Sequence, residues 1–216
     1  MPAKGITAKQ ARSRESVSRL LKAAMEVLSE KGLKGATASR IAARAGLSPG
    51  AIYRRFPDKD ALLRSVFIEV LEKNDKGISL VLDSQSTKDM DLKSFAEWAV
   101  RVSVEGQRRY SGLFRALNQY LLGRADARFK RKAAELQVKS FRRVVDFLTQ
   151  RSKEINHPDP ATALPFGLMI VGFTMSELII RNELSEAWAP LLPKDDRQLE
   201  RELTRAMLAY LGADYD

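Results

Sequence analysis

Three features of the sequence predict an all-α fold. Apolar residues recur at spacings of three and four along almost the whole chain, as they do on the buried face of a helix. No stretch alternates strictly between apolar and polar residues, which is the pattern of a half-buried strand. The 216 residues are 44% hydrophobic and 30% charged, a composition typical of globular proteins. We predict about nine helices, with boundaries uncertain by a few residues.

The positive charge is concentrated at the N-terminal end of the chain. Residues 1–60 contain 13 Lys/Arg and 5 Asp/Glu, whereas residues 61–216 contain 24 and 22. This asymmetry is typical of a protein that binds a polyanion at one end. A solvated basic face is the alternative that composition leaves open. We predict one domain over residues 1–60, in which residues 1–10 form a flexible tail, and a second over residues 61–216.

The N-terminal domain begins with an amphipathic helix that we expect to end near Lys31 and Gly32. Its apolar stripe comprises Val17, Leu20, Leu21, Ala24, Val27 and Leu28. Thr37 is a good N-cap for a second, short helix, whose Ile41 should face the core. Gly46 follows it, where a tight turn requires a positive φ.

A third helix should start at Ser48 as N-cap, with Pro49 as its first helical residue. Two short helices joined by a tight turn containing glycine form the helix-turn-helix pattern. We expect the core side of the third helix to carry Ile52 and Phe56. Its exposed side should then carry residues 48–51, Tyr53, Arg54 and Arg55.

The composition of this third helix is typical of a helix that reads DNA. Gly50 and Ala51 are small where a helix must lie against base edges, arginine can bond guanine twice, and a tyrosine hydroxyl can hold a phosphate. Lys59, near the start of the next helix, can add its charge to exposed helical N–H groups to bind phosphate. An unrelated basic helical hairpin is the alternative interpretation.

The order of these residues resembles the DNA-binding signature of the tetracycline-repressor (TetR) family. The resemblance covers about 50 residues and is carried by Thr37, Ile41, Ala42, Ala45, Gly46, Leu47, Ser48, Gly50, Tyr53, Phe56, Lys59, Leu62 and Leu63. It implies an all-α homodimer whose first three helices bind a palindromic operator and whose remaining helices form a ligand pocket and dimer interface. It also implies repression that a ligand relieves.

Carried onto this chain residue by residue, the resemblance implies a set of DNA contacts. Arg54 and Arg55 are the residues that we expect to read bases. The whole set comprises Thr37, Ser39, Arg40, Ser48, Pro49, Gly50, Ala51, Tyr53, Arg54, Arg55 and Lys59.

Beyond this domain the sequence predicts helices but carries no comparable signature. One helix should begin after Pro57 with Asp58 as its N-cap, end near residues 74–77, and link the domains. Another should run from about residue 126 to 151. Residues 161–180 are apolar enough to raise the question of a membrane span. Within them, Pro165, two glycines, Thr174, Ser176 and Glu177 favour a buried helix. In the TetR resemblance, the last two helices, at 161–183 and 195–212, would form the homodimer interface.

A pocket for a small, largely apolar effector is expected between the C-terminal helices. Aromatic side chains are the candidates for its lining, although ordinary core packing is the alternative for each of them. They are Phe95, Trp98, Tyr110, Phe114, Tyr120, Phe141, Phe166 and Phe173.

The sequence offers little for catalysis. It has no cysteine and a single histidine, His157, between Asn156 and Pro158, and it lacks a glycine-rich phosphate loop and a nucleophile elbow. We therefore expect no enzyme activity, metal or cofactor, and the absence of cysteine and of a signal sequence favours the cytoplasm. The predicted function is a ligand-responsive repressor. A constitutive or architectural DNA-binding protein is the alternative, and an activator with the same fold remains open.

Overall fold

The computed structural model describes residues 8–181 and 186–213, with side chains from 15–180 and 188–213. All regular secondary structure in these ranges is helical, so the predicted all-α class is confirmed. Nine α-helices lie in the described ranges: α1 (Ala8–Gly35), α2 (Ala38–Arg44), α3 (Pro49–Tyr53), α4 (Lys59–Leu82), α5 (Gln85–Lys88), α6 (Leu92–Gly123), α7 (Ala127–Thr149), α8 (Pro160–Met175) and α9 (Asp196–Leu211). Residues 8–10 of the predicted tail are helical, and residues 1–7 lie outside the described ranges.

Non-α turns accompany these helices. Ser152–Glu154 and Glu186–Leu191 form 3-10 helices, and Ser176–Arg181 continues α8 as a π-helix. Two long helices contain a residue with non-helical backbone angles, Gly32 in α1 and Tyr110 in α6. The first helix was predicted to end near Gly32. The structure instead has a kink at Gly32, and helical hydrogen bonding resumes after it.

The described chain divides into two compact units. Unit 1 comprises Met1–Leu71 and Gly112–Arg131, and unit 2 comprises Glu72–Ser111 and Lys132–Asp216. Helices α4, α6 and α7 each contribute residues to both units. The boundary predicted at residue 60 separates a DNA-binding domain from a ligand-binding domain, whereas the two units are defined by packing alone. That functional boundary stays a prediction.

The core of unit 1 holds an aromatic group contributed by three helices. Tyr120 of α6 is fully buried, with its ring 5.3 Å from Phe67 of α4 and 5.4 Å from Phe129 of α7. Tilted and edge-on ring pairs at these distances add to the stabilisation that burial provides. These contacts fix the second part of α6 and the start of α7 against α4, the helix that follows the helix-turn-helix.

Helices α1 and α6 approach each other closely within unit 1. A Cβ added to Gly112 would lie 2.0 Å from the carbonyl oxygen of Ser29 and 2.9 Å from its carbonyl carbon. Because no side chain fits in this space, the two backbones meet only with glycine at this position.

Helix α4 is longer than the sequence predicted. It continues through the expected end at residues 74–77 to Leu82. Asp75 is 5% exposed and accepts hydrogen bonds from Lys139 Nζ at 2.7 Å and Arg143 Nε at 2.9 Å, both on α7. The hydrogen bond from Lys139, followed by that from Arg143, holds the pKa of Asp75 below its usual value against the opposing effect of burial. Asp75, predicted to mark the end of the helix, thus lies inside α4, and cations of α7 neutralise its charge.

A buried arginine joins three segments of unit 2. Arg151, beyond the end of α7, is 8% exposed and donates to the carbonyls of Met90 at 2.8 Å, Lys88 at 2.9 Å, and Thr87 and Phe147 at 3.2 Å. Its guanidinium carbon lies 4.1 Å from the centre of the Phe147 ring. The last carbonyls of a helix lack helical partners, and the arginine donates to that of Lys88 and adds a second donor to that of Thr87, which also accepts from the N–H of Met90.

Helices α8 and α9 pack closely within unit 2. A Cβ added to Gly167 would lie 3.3 Å from the Tyr210 ring, so glycine permits this approach. Other side chains of α8 are exposed: Phe166 at 48%, although its ring lies 5.6 Å from that of Tyr210, and Phe173 at 71%. The expectation of a buried helix therefore holds for one face of α8 only. By length and composition alone Pro160–Ile180 could cross a membrane, a test that core helices of soluble proteins also pass.

Candidate DNA-binding site

Helices α2 and α3 and the turn between them have the predicted geometry. The backbone N–H of Arg40 donates to Thr37 Oγ1 at 3.3 Å, so Thr37 is the N-cap of α2. Gly46 adopts φ +67°, and the N–H of Leu47 donates to the Ala42 carbonyl at 2.9 Å. Ser48 precedes α3 in an extended conformation, although its side chain makes no capping hydrogen bond. The two short helices therefore form a helix-turn-helix.

An ion pair that the sequence did not predict fixes α2 to α1. Arg44 donates to both carboxylate oxygens of Glu30, at 2.7 and 2.8 Å, and to Glu26 at 3.3 Å. The hydrogen bond to Glu30 is the main cause that raises the pKa of Arg44, and the same bond lowers the pKa of Glu30. The available signal was the spacing of Glu26 and Glu30, which places both carboxylates on one face of α1. Arg44 is thus neutralised within the domain.

Most of the residues predicted to contact DNA are exposed. Tyr53 is 54% exposed, and Arg54 follows it as the C-cap of α3. Arg40 is exposed too, although its Nη1 donates to the Gly35 carbonyl at 2.9 Å. The exposed members of the set are Thr37, Ser39, Arg40, Ser48, Pro49, Gly50, Tyr53 and Arg54.

Two residues of α3 and its end are placed differently from the prediction. Ala51 was expected on the exposed side, but it is 2% exposed and faces the core beside Ile52. Adjacent helical residues are about 100° apart, so one face of so short a helix can bury both. Arg55 is half-buried, and its Nη1 donates to the Ala51 carbonyl at 3.1 Å. Its Nε is buried without a hydrogen-bond partner in the described chain.

Lys59 occupies the first turn of α4, after the Asp58 side chain that accepts from the N–H of Ala61 at 2.6 Å. It is half-buried, and this burial, followed by the nearby charge of Arg124, lowers its pKa. Arg124 itself pairs with Asp60 at 3.6 Å. A second cation, from the turn that precedes α7, therefore lies beside the start of α4, and no local pattern in the sequence predicts this contact.

We expect Gly46→Ala to destabilise the protein by about 1–2 kcal/mol, because a left-handed backbone places Cβ against the following carbonyl. A steric clash with other residues does not contribute to this destabilisation, since a Cβ at position 46 would have no neighbour within 4 Å. Gly46→Asn is the matched variant, because asparagine tolerates this conformation better. Chemical denaturation of both variants measures the difference. An alanine variant as stable as the asparagine one would contradict the conformational explanation.

The aromatic pocket candidates do not share one environment. In unit 2 the Phe95 ring lies 5.8 Å from Trp98 and 4.9 Å from Phe147, inside a core cluster. Tyr120 belongs instead to the core of unit 1. Phe114 and Phe141 are half-buried, whereas the exposed candidates are Tyr110, Phe166 and Phe173. For Phe95 and Tyr120 the structure supports core packing, and the pocket stays a prediction. In the described residues no group of His, Cys, Asp or Glu could hold a metal ion.

Comparison with known families assigns the helix-turn-helix segment. Residues 20–66, which include α2, α3 and the start of α4, match the family of bacterial regulatory proteins named tetR. By this match, residues 20–66 form a domain of the tetR family of bacterial regulatory proteins. Its helix-turn-helix is the DNA-binding element of a transcription regulator. Among curated protein sequences, none is significantly similar to this chain.

Solved structures of several transcriptional regulators share the fold over nearly the whole chain. A protein described as a TetR-family transcriptional regulator from Mesorhizobium loti is 19% identical, with a TM-score of 0.71 over 93% of this chain and 97% of the other. A transcriptional regulator from Rhodococcus is 23% identical, with a TM-score of 0.66 over 92% and 98%. FadR from Bacillus subtilis, in complex with stearoyl-CoA, is 20% identical, with a TM-score of 0.61 over 90% and 97%.

Proposed function

We propose that this chain is a ligand-responsive repressor of the TetR family that binds a palindromic operator as a homodimer in the cytoplasm. The carrying observation is the helix-turn-helix of α2 and α3, which presents eight of the expected DNA-contact residues to solvent. The excess of cations in residues 1–60 supports it, because phosphate contacts supply much of the affinity for DNA. Two copies would place their α3 helices in successive major grooves, about 34–36 Å apart.

Within this proposal the two arginines after α3 have different roles. Arg54 is exposed and has no hydrogen bond that holds its guanidinium against the protein in the described chain, so it is free to bond a base edge. Arg55 donates to the Ala51 carbonyl and is half-buried. It therefore acts as a positioning residue that supports the end of α3. This division refines the expectation that both arginines read bases.

The exposed face of α8 supports dimerisation. Phe166, Met169, Ile170 and Phe173 are 37–71% exposed, and they recur at spacings of three, one and three along the helix. A contiguous apolar patch of this kind is typical of an interaction surface, and a two-fold dimer uses the same patch on both copies. Helices α8 and α9 would then form the interface between the two copies.

A small effector is proposed to release the repressor from DNA. FadR from Bacillus subtilis was solved with stearoyl-CoA and RolR with resorcinol, two proteins of the same fold. For this chain we propose a largely apolar effector, with the aromatic side chains of unit 2 as the first candidates for contact. A ligand shifts an equilibrium only through its different affinity for two states. The effector must therefore prefer a dimer whose two α3 helices no longer match the operator.

The decisive experiment selects the operator from a randomised duplex pool and from DNA flanking the gene, then measures affinity at fixed salt. We expect Arg54→Ala to weaken binding by about 1–3 kcal/mol at the base that it reads, and to relax the preference at that base pair. Arg142→Ala, an exposed arginine of α7 in unit 2, removes the same charge and should leave the preference intact.

Three results would separate the alternatives. Selection of one palindrome by a dimer, with release by a small molecule, supports the proposal. Binding that no compound in an effector screen weakens would favour the constitutive DNA-binding protein. If no pool sequence is enriched and Arg54→Ala behaves like Arg142→Ala, the proposed site-specific regulator is refuted.

A further inference from the structure

Unit 1 carries a second group of cations outside the helix-turn-helix. It comprises Arg124, at the end of α6, and Arg128, Lys130 and Arg131 in the first turns of α7, which we call the α6–α7 basic surface. All four side chains are exposed. In the part of the chain that the structure describes, only Arg124 among them takes part in an ion pair.

The position of this surface is fixed by the core beneath it. Phe129, between two of these cations in sequence, is 5% exposed and contacts the Tyr120 ring edge-on at 5.4 Å. Asp126 caps α7 by accepting from the N–H of Phe129 at 2.7 Å. The cations around Phe129 therefore project from a rigid part of unit 1.

Apart from its cap, Asp126, the start of α7 carries the charge that a helix N-terminus disfavours. The N-terminus of a helix carries a partial positive charge, so cations are disfavoured there and acids favoured. The first turn of α7 contains no acidic residue, while Arg128 and Lys130 lie in its first four positions. The only carboxylate in the segment 124–131 is Asp126, which lies 3.8 Å from Arg64. The surface therefore keeps an uncompensated positive charge that a polyanion would neutralise.

The α6–α7 turn lies next to the start of α4, where a phosphate contact is expected. Arg124 is 3.6 Å from Asp60, and Arg64 is 3.8 Å from Asp126, so the α6–α7 turn adjoins the first turns of α4. Lys59, one of the expected phosphate contacts, is in the same turn and feels the charge of Arg124. Through Arg124, the α6–α7 basic surface thus adjoins Lys59 at the start of α4, the helix that follows the helix-turn-helix.

We propose that the α6–α7 basic surface binds backbone phosphates of duplex DNA that flanks the operator half-site. This inference rests on the proposed operator binding and extends its footprint. The contacts add affinity and salt dependence, and they carry no base preference, because phosphates present the same chemistry at every sequence.

The test compares the full-length protein with a triple variant, Arg128→Gln, Lys130→Gln and Arg131→Gln. The probes are the shortest duplex that the wild type selects and the same duplex extended by about 10 base pairs, one helical turn, on each side. For the extended duplex we expect the triple variant to bind roughly tenfold more weakly. The slope of log K against log salt should become shallower by about 0.9 for each phosphate that the variant no longer neutralises. For the short duplex both quantities should change less.

A matched control removes the same charge from exposed positions of unit 2, with Lys88→Gln, Arg142→Gln and Lys153→Gln. Its affinities and salt slopes should stay near the wild-type values on both probes. If the two triple variants behave alike on the extended duplex, or if extension does not alter the effect, the flanking contact is refuted. Loss of sequence preference in Arg54→Ala would still support the operator-binding proposal in that case, so the two failures are distinguishable.

Discussion

Gly112→Ala should be among the most damaging single substitutions in this protein. The new methyl group would lie 2.0 Å from the Ser29 carbonyl oxygen, and a backbone carbonyl cannot rotate away as a flexible side chain can. Either α1 or α6 must then move, and overpacking of this kind costs about 1–3 kcal/mol and occasionally more. Thermal and chemical unfolding of the variant measure the loss, which outweighs the helix propensity that alanine adds.

Gly106→Ala is the control for this effect, because it makes the same change in the same helix. A Cβ at Gly106 has no neighbour within 4 Å, and its backbone needs no positive φ. We expect it to stabilise the protein by about 0.4–1 kcal/mol, since alanine restricts the unfolded chain. Equal stability of the two variants would mean that the backbones of α1 and α6 do not meet at Gly112.

Arg151→Met should destabilise unit 2 to a similar or greater degree. Methionine keeps much of the apolar stem and its packing against the Phe147 ring, but it donates no hydrogen bond. The carbonyls of Lys88 and Met90 then lose this donor, while the Thr87 carbonyl keeps the N–H of Met90 at 3.3 Å. A buried acceptor left without a partner costs about 1–3 kcal/mol, so the total should reach about 3 kcal/mol or more. Denaturant titration of the full chain, followed by circular dichroism, measures it.

Two control variants show whether the lost hydrogen bonds cause this decrease in stability. Lys153→Met removes a nearby charge from an exposed side chain and should change the unfolding free energy by about 0.5 kcal/mol or less. Arg151→Lys keeps the charge but cannot supply the planar set of donors, so it should also destabilise. Wild-type stability in Arg151→Lys would show that the charge, and not the fork of donors, holds these carbonyls.

The helix-turn-helix could be predicted in detail because its determinants are local. Thr37 as N-cap, Gly46 with positive φ and Pro49 at the start of α3 each act within a few residues of their own position. The wrong expectation for Ala51 has the opposite origin. In a helix of five residues the periodicity does not decide whether a small side chain faces the core, and the neighbouring helices decide it.

The contacts between distant segments could not be predicted in this way. Asp75 looked like a helix end because its partners, Lys139 and Arg143, come more than 60 residues later. Gly112 showed no local signal, since its reason is the carbonyl of Ser29. The prediction of the aromatic pocket rests on residue type alone, and residue type does not separate a core ring such as Phe95 from an exposed one such as Phe173.

The ion pairs of Arg44 have a consequence for how such a protein would search a chromosome. An arginine already held by Glu30 and Glu26 releases no counterion when the domain lands on DNA, so it adds nothing to the attraction for random sequence. The negative charges of the two glutamates also repel the phosphates of the DNA backbone. We expect this weaker nonspecific attraction to shorten the residence time on non-operator DNA. More of the protein is then free to bind its few operators, which compete with a large excess of nonspecific sites.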